Sequence, residues 1–183
     1  MFYIIRHGKT DWNEIHKLQG RTDVPLNDNG RKMAKIAAEE YADVHFDVCY
    51  CSPLIRAKET AQILLEGRDV PIIYDDRLME MAFGIYEGIQ NCFEKPECPV
   101  RTIFLAPQDY TAAFEGAESW DDLFKRTGSF LEEIVYPLVK EGKDVLVVAH
   151  GGVNSCITTQ VRNKPIEEFW SEPIENCKLK RLI

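Results

Sequence analysis

The sequence predicts an α/β domain, a three-layer sandwich with a mostly parallel central sheet flanked by helices. Two observations predict it. Short strand-like runs ("FYII", "FDVCYC", "VPIIY", "KDVLVVA") alternate along the chain with segments of helical periodicity. The 183 residues, 45% hydrophobic with ordinary glycine and proline counts, also suit one domain large enough to bury a core.

Each element follows in order. Residues 2 to 5, "FYII", read as a buried strand. "NDNGRKMAKIAAEEYA" reads as a helix with Asn27 as N-cap and Met33, Ile36, Ala37 and Tyr41 on its inner face. "FDVCYC" is the second strand. "SPLIRAKETAQILLE" is a helix with Ser52 as N-cap and Pro53 at its first position. "VPIIY" is a short third strand. Residues 89 to 118, with Pro96, Pro99 and Pro107, are irregular and read as a lid or insertion within one domain spanning 1–183. "SWDDLFKRTGSFLEEIVYPLV" is a long helix capped by Ser119. "KDVLVVA" is the fourth and most apolar strand, "GGVNSCITTQV" opens a further helix, and "CKLKRLI" is a terminal alternating strand.

Composition excludes several classes. No apolar run approaches the roughly 20 residues that cross a bilayer. The start, "MFYIIRHG", lacks the basic and apolar regions of a signal peptide, so the expected location is cytoplasmic. A net charge of −8 disfavours nucleic acid and anionic membrane as partners, though not a small anionic substrate. The cysteines, Cys49, Cys51, Cys92, Cys98, Cys156 and Cys177, are then expected as free thiols, with Cys49 and Cys51 on one face of a strand. Neither CxxC nor HxxxH occurs, so no metal site is expected. A homodimer stays open.

In a parallel α/β sheet, ligands bind beyond the carboxyl ends of the strands. The first strand ends at Arg6, His7 and Gly8. The second runs into "SPLIR", which puts Arg56 on the first turn of its helix. The fourth ends at His150, Gly151 and Gly152. Two histidines, two arginines, glycine turns and a helix N-terminus suit a phosphate, whose oxygens pair with guanidinium forks and helix amides. Taken singly, a histidine at a strand end is more often structural, and paired glycines can simply make a turn.

These residues carry a resemblance. "RHGKTDWN" with "LQGRTDVPLNDNGRKMA" resembles the opening signature of the histidine phosphatase superfamily, the phosphoglycerate mutase-like proteins. "YCSPLIRAKETA", "RLMEMAFGIYEG", "FEGAESWDDLFKR" and "VLVVAHGGV" resemble its later blocks, in order, with Ala117 where a second glycine is commoner. The resemblance implies that His7 attacks phosphorus and that Arg6, Arg56 and a protonated His150 hold the phosphoryl oxygens. Asn13 adds a neutral hydrogen bond. Thr10, Gln19, Gly20 and Gly151 match positions lining the phosphate pocket. Glu80 is implied as acid and base, its pKa raised by the phosphate beside it, with Glu87 a structural rival. No metal or other cofactor is implied, because the arginines supply the positive charge. His16 and His45 read as ordinary loop histidines.

The implied reaction is hydrolysis of a small phosphomonoester through a phosphohistidine. A cofactor-dependent phosphoglycerate mutase is the alternative, and a non-catalytic phosphate- or phosphopeptide-binding module is the alternative of another class. Residues 89–118 carry only Lys95 and Arg101 as cations, whereas the family's mutases carry a basic insertion there. The segment offers instead Phe93, Ile103, Phe104, Leu105, Tyr110 and Phe114, which suit an apolar or aromatic substrate part or simply pack the lid. Sugar phosphates, nucleotide monophosphates, phosphoserine and the nucleoside phosphate of cobamide synthesis all stay open as substrates.

Overall fold

A computed structural model describes residues 1–183. Strand β1 (Phe2–Arg6) leads through a short helix α1 (Asp11–Glu14) to α2 (Asp28–Glu40), β2 (Val48–Cys51), α3 (Ile55–Leu64) and β3 (Ile72–Tyr74). A stretch of isolated 3₁₀ turns then contains one helix, α4 (Arg101–Leu105). Helix α5 (Trp120–Phe130) continues through a π-helical segment, Leu131–Val135, into α6 (Tyr136–Lys140), followed by β4 (Val145–Ala149), α7 (Gly151–Val161) and β5 (Leu179–Arg181).

The five strands form one sheet in the order β3-β2-β4-β1-β5, parallel except for the terminal β5, which pairs antiparallel with β1. The two-residue period of a strand sorts its side chains into two layers. Tyr3, Ile5, Cys49, Cys51, Leu146 and Val148 face α2 and α3, whose Ala34, Ala37, Ala57 and Ala61 allow close approach. Phe2, Ile4, Val48, Val145, Val147 and Ala149 face Leu123 and Phe130 of α5 and Val153 and Ile157 of α7. Strand β4 sits at the centre with every residue fully buried, as its apolar run requires. Each of its large side chains contributes about 1.5–3 kcal/mol by leaving water.

Register is what builds the site. Arg6 pairs with Ala149, and Cys51 with Val148, so β1, β2 and β4 end side by side. The chain goes on pairing just past the strands: the His7 amide donates to the Ala149 carbonyl and the Ser52 amide to the Val148 carbonyl, both at 3.0 Å.

Several expectations need correction. Ile36 is 51% exposed, while Gly30, Ala34 and Ala37 form the buried stripe of α2. The helix meets its neighbour through small residues, and the longer Ile36 falls outside that stripe. Ser52 does not cap α3, which starts at Ile55 with Leu54 as N-cap and no side-chain cap. Pro53 therefore precedes the helix. The long helix after Ser119 does not run evenly. Pro137 has no N–H to donate back into the preceding turn, and a π-helical segment lies just before it. The terminal strand is only three residues long. Cys92 and Cys98 are joined in a disulfide, with Cα atoms 5.6 Å apart across a tight turn, and so are not free thiols. The other four cysteines are buried thiols, and burial pushes Cys49 and Cys156 up to about 12.

Candidate active site

The β1–α1 connection must lie flat against α2, and two glycines permit it. A Cβ on Gly8 would sit 2.6 Å from the Gly30 carbonyl oxygen, and one on Gly30 would sit 2.0 Å from that of Lys9. His7 is held just before this crossing and is almost fully buried. Its Nδ1 lies 2.7 Å from the Gly8 carbonyl oxygen. A carbonyl only accepts, so Nδ1 carries the proton and Nε2 carries the lone pair. Burial, with help from Arg56 and Arg6, pushes the His7 pKa well below 6.5, so the ring is neutral near pH 7.

His150 ends β4 and N-caps α7, its ring centroid 5.1 Å from that of His7. Its Nε2 lies 2.7 Å from Ser52 Oγ. That oxygen also accepts the Leu54 N–H at 3.3 Å and keeps its own hydrogen and a second lone pair for His150 Nε2. When the hydroxyl hydrogen goes to Nε2, the imidazole proton sits on Nδ1, the edge with no protein partner. The imidazolium expected from the sequence is not favoured here: burial, then Arg56, His7 and Arg6, push this pKa well below 6.5 too. As a neutral ring His150 still offers an N–H donor.

Arg56, on the first turn of α3, is fully buried, and its Nη1 and Nη2 donate to the Thr22 and Gly20 carbonyls at 3.0 and 2.6 Å. Burial pushes it down to about 10, against the attraction of Glu80, Asp23 and Glu87, so it stays charged at neutral pH. Arg6 donates from Nη1 to the Ile174 carbonyl at 3.4 Å. Three buried nitrogens remain without a hydrogen-bond partner: Arg6 Nε and Arg56 Nε, which are always donors, and His150 Nδ1, a donor when Ser52 gives its hydrogen to Nε2. Buried polar groups are almost always paired, so three orphans around one pocket call for a ligand rich in acceptors.

Glu80 follows the buried Leu78 and precedes the buried Met81, which anchor its loop. Its carboxylate accepts the amides of Met81 at 2.9 Å, Gly152 at 3.1 Å and Val153 at 3.2 Å, and so sits at the N-terminus of α7. This explains the second glycine after His150: a Cβ on Gly152 would lie 2.8 Å from Glu80 Oε1. Glu87 has a different setting. It accepts the amides of Arg21, Thr22 and Phe83 and the Thr22 hydroxyl, and so ties two loops together away from the cavity wall.

A cavity of about 430 Å³ opens over these groups. Arg6, His7, Asn13, Gln19, Gly20, Arg56, Glu80 and Gly151 all line it. Asn13 Oδ1 is taken up by the Thr10 amide at 3.1 Å, which leaves its Nδ2 for a ligand. Thr10 is not on the wall. It is fully buried behind it, capping α1 and donating to Gln19 Oε1 at 2.9 Å. His150 is not on the wall either: it is fully buried beside His7, and its Nδ1 has no hydrogen-bond partner.

Sequence reasoning missed other contributors. Ser52 orients His150. Asn176 lines the cavity and donates to the His7 carbonyl at 2.6 Å, from 169 positions away. Glu118 is buried, pairs with Arg126 at 2.6 Å and Arg21 at 3.2 Å, and accepts the Ala82 amide beside Glu80. His16 lines the cavity, although it read as an ordinary loop histidine. The acidic cluster of His45, Asp47 and Asp144 lies elsewhere and already holds Lys143 and the N-terminal ammonium.

The family model for the histidine phosphatase superfamily (branch 1) matches residues 2–183. The chain belongs to that superfamily. Among its relatives, phosphoserine phosphatase 1 of Hydrogenobacter thermophilus is 30% identical over 95% of this chain and 82% of its own length. The 2,3-bisphosphoglycerate-dependent phosphoglycerate mutase 2 of Gloeobacter violaceus is 31% identical over 97% of this chain and 82% of its own length. Among solved structures, Bacillus stearothermophilus YhfR superposes with a TM-score of 0.85 at 30% identity, covering 97% of this chain and 88% of that one. In this superfamily member four of the five ordered blocks place residues on one cavity wall, while the Gly-Glu-Ser block stands behind it through Glu118, which holds Arg21, Arg126 and the Ala82 amide.

Proposed function

We propose that this protein is a metal-independent phosphomonoesterase that works through a phosphohistidine on His7. The observation that carries the reading is the set of three unpartnered buried nitrogens, Arg6 Nε, Arg56 Nε and His150 Nδ1, beside the unprotonated His7 Nε2. Donors of that kind match phosphoryl oxygens, and a lone pair among them matches a nucleophile in line with phosphorus.

In the first step the Nε2 lone pair forms the N–P bond while the ester P–O bond breaks. Glu80, protonated, delivers its proton to the departing oxygen. The two guanidiniums and His150 Nδ1–H carry the charge on the equatorial oxygens. In the second step the Glu80 carboxylate takes a proton from water, the water oxygen attacks phosphorus, and the N–P bond breaks to release phosphate. Residues 89–118 serve as a lid, with Phe93 and Phe104 on the cavity wall.

A mutase reading draws on the Gloeobacter relative's name. Against it, neither Lys95 nor Arg101 reaches the cavity wall, so the lid adds no charge for clamping an acceptor. The cytoplasmic location expected from the sequence faces one opposing fact, the Cys92–Cys98 disulfide, since reducing compartments keep thiols reduced.

The test is an acid-free quench during turnover of p-nitrophenyl phosphate, with phosphate counted on the protein. Wild type should trap acid-labile, base-stable phosphate, and His7→Ala should trap none and turn over nothing. Turnover by His7→Ala at the wild-type rate would exclude the mechanism. Binding of phosphate without turnover by wild type would leave a binding module.

A further inference from the structure

The cavity wall carries more positive charge than a phosphoryl group needs. Arg6, Arg56, Lys9 and Lys17 line it against one carboxylate, Glu80, a formal charge of +3 in a chain whose total is −8. A phosphate dianion offsets two of these charges and leaves one. The two arginines point to the phosphoryl end, so the surplus lies with the lysines.

Both lysines are built into the wall. The Lys9 carbonyl accepts the Asn27 amide at 3.1 Å and lies against Gly30. The Lys17 amide donates to the Trp12 carbonyl at 2.8 Å, and its residue bridges to Gln90. Both side chains are half-buried. The Lys17 ammonium lies 5.4 Å from the centre of the Trp12 ring, which steadies it without neutralising it. Neither ammonium has a carboxylate within ion-pair distance, and of the lysines without one only these two line the cavity. The rest of the mouth is aromatic. Phe104 stacks on Trp170 at 5.1 Å and meets Phe93 at 5.7 Å, and all three line the cavity.

We infer that the cavity takes the phosphomonoester of a flat or aromatic alcohol that carries a second anionic group, a carboxylate in the simplest case, held by Lys9 and Lys17. The inference rests on the phosphomonoesterase reading for the chemistry and goes beyond it in naming the leaving group. The phosphoryl group lies at the base on the arginines, the ring lies against Phe93, Phe104 and Trp170, and the second charge meets the lysines at the rim.

The experiment compares phenyl phosphate with 4-carboxyphenyl phosphate in wild type, Lys9→Met, Lys17→Met and the double variant. The readout is the ratio of kcat/KM for the two esters. Wild type should favour the carboxylated ester. Each single substitution should lower the ratio about tenfold, the scale of a charge-assisted hydrogen bond, and added salt should lower it further. A ratio near one in wild type, or equal losses for both esters in the variants, overturns the subsite. If wild type hydrolyses neither ester, the phosphatase reading falls. The subsite is then decided by calorimetry with benzylphosphonate and 4-carboxybenzylphosphonate. Tighter binding of the latter, lost in the double variant, upholds it, and equal binding overturns it.

Discussion

Ser52→Ala tests the link between the fold and the chemistry. The hydroxyl lies 2.7 Å from His150 Nε2 in a setting where both residues are fully buried. Donation of its hydrogen to Nε2 holds the imidazole proton on Nδ1, the edge that has no protein partner. With alanine at 52, either Nε2 stays a buried acceptor without a donor, or the proton moves to Nε2 and Nδ1 turns a lone pair toward the phosphoryl oxygens. The first outcome costs about 1–3 kcal/mol of folding stability, the usual penalty for an unsatisfied buried group. The second removes one charge-stabilising donor, and complete loss of such a donor costs on the order of 10²–10³ in kcat. A net hydrogen bond of about 1 kcal/mol biases the tautomers roughly fivefold, so its removal lowers the Nδ1–H population, and kcat with it, by up to about 5-fold. The assays are kcat with p-nitrophenyl phosphate, the urea midpoint, and ¹⁵N shifts of the His150 ring, which report the tautomer directly. Wild-type kcat with an unchanged Nδ1–H signal in Ser52→Ala would refute the reasoning.

Two further outcomes follow from the site. His7 and His150 are held neutral with pKa values well below 6.5, so the unfolded chain binds protons that the folded chain does not. Stability should be complete above about pH 6.5 and fall as pH drops below it, by up to about 1.4 kcal/mol per pH unit for each histidine; urea midpoints that stay flat from pH 7.5 to 5, in a comparison with His150→Gln, would count against this. Glu80→Gln should slow phosphohistidine formation on the order of 10²-fold for an alkyl phosphate and much less for p-nitrophenyl phosphate, whose phenolate leaves without help. The same change at Glu87 should show no such selectivity, and single-turnover rates that slow equally for both esters in Glu80→Gln would remove Glu80 from the acid role.

The layering of the fold was legible because it rests on local signals. The apolar run of β4, the Asn27 and Ser119 caps and the helix opening at Gly151 each read correctly from a few neighbouring residues. The register that brings Arg6, His7, Arg56 and His150 together follows from parallel pairing of those same strands. Ile36 misled because the periodicity of α2 marks a face, while the packing partner decides which part of that face is covered. Ser52 misled for a more instructive reason. Serine before proline at a helix start is a strong capping signal, but the hydroxyl has a better use one layer away, on a histidine 98 positions later. The disulfide was hidden because cysteine pairing depends on the turn between Cys92 and Cys98 and on the redox compartment, and sequence counts fix neither.

The supports of the site share this non-local character, and there is a physical reason for it. The groups that would meet phosphate are buried and polar, so each must be steered by hydrogen bonds that leave one chosen atom free. Backbone atoms do most of that steering. The Gly8 carbonyl takes His7 Nδ1, the Gly20 and Thr22 carbonyls take the Arg56 Nη atoms, the Ile174 carbonyl takes Arg6, and the amides of Gly152 and Val153 hold Glu80. Backbone groups are the same in every residue, so these contacts leave little mark on the sequence beyond Gly152, where the Glu80 carboxylate crowds out a Cβ. What the sequence does mark is the atom left over: the nucleophile, the guanidiniums and the carboxylate. Side chains such as Asn176 and Glu118, which hold the loops that hold those residues, fall between the two cases. They are chemically specific, but their partners lie in distant segments, and only the folded chain shows which loop each one pins.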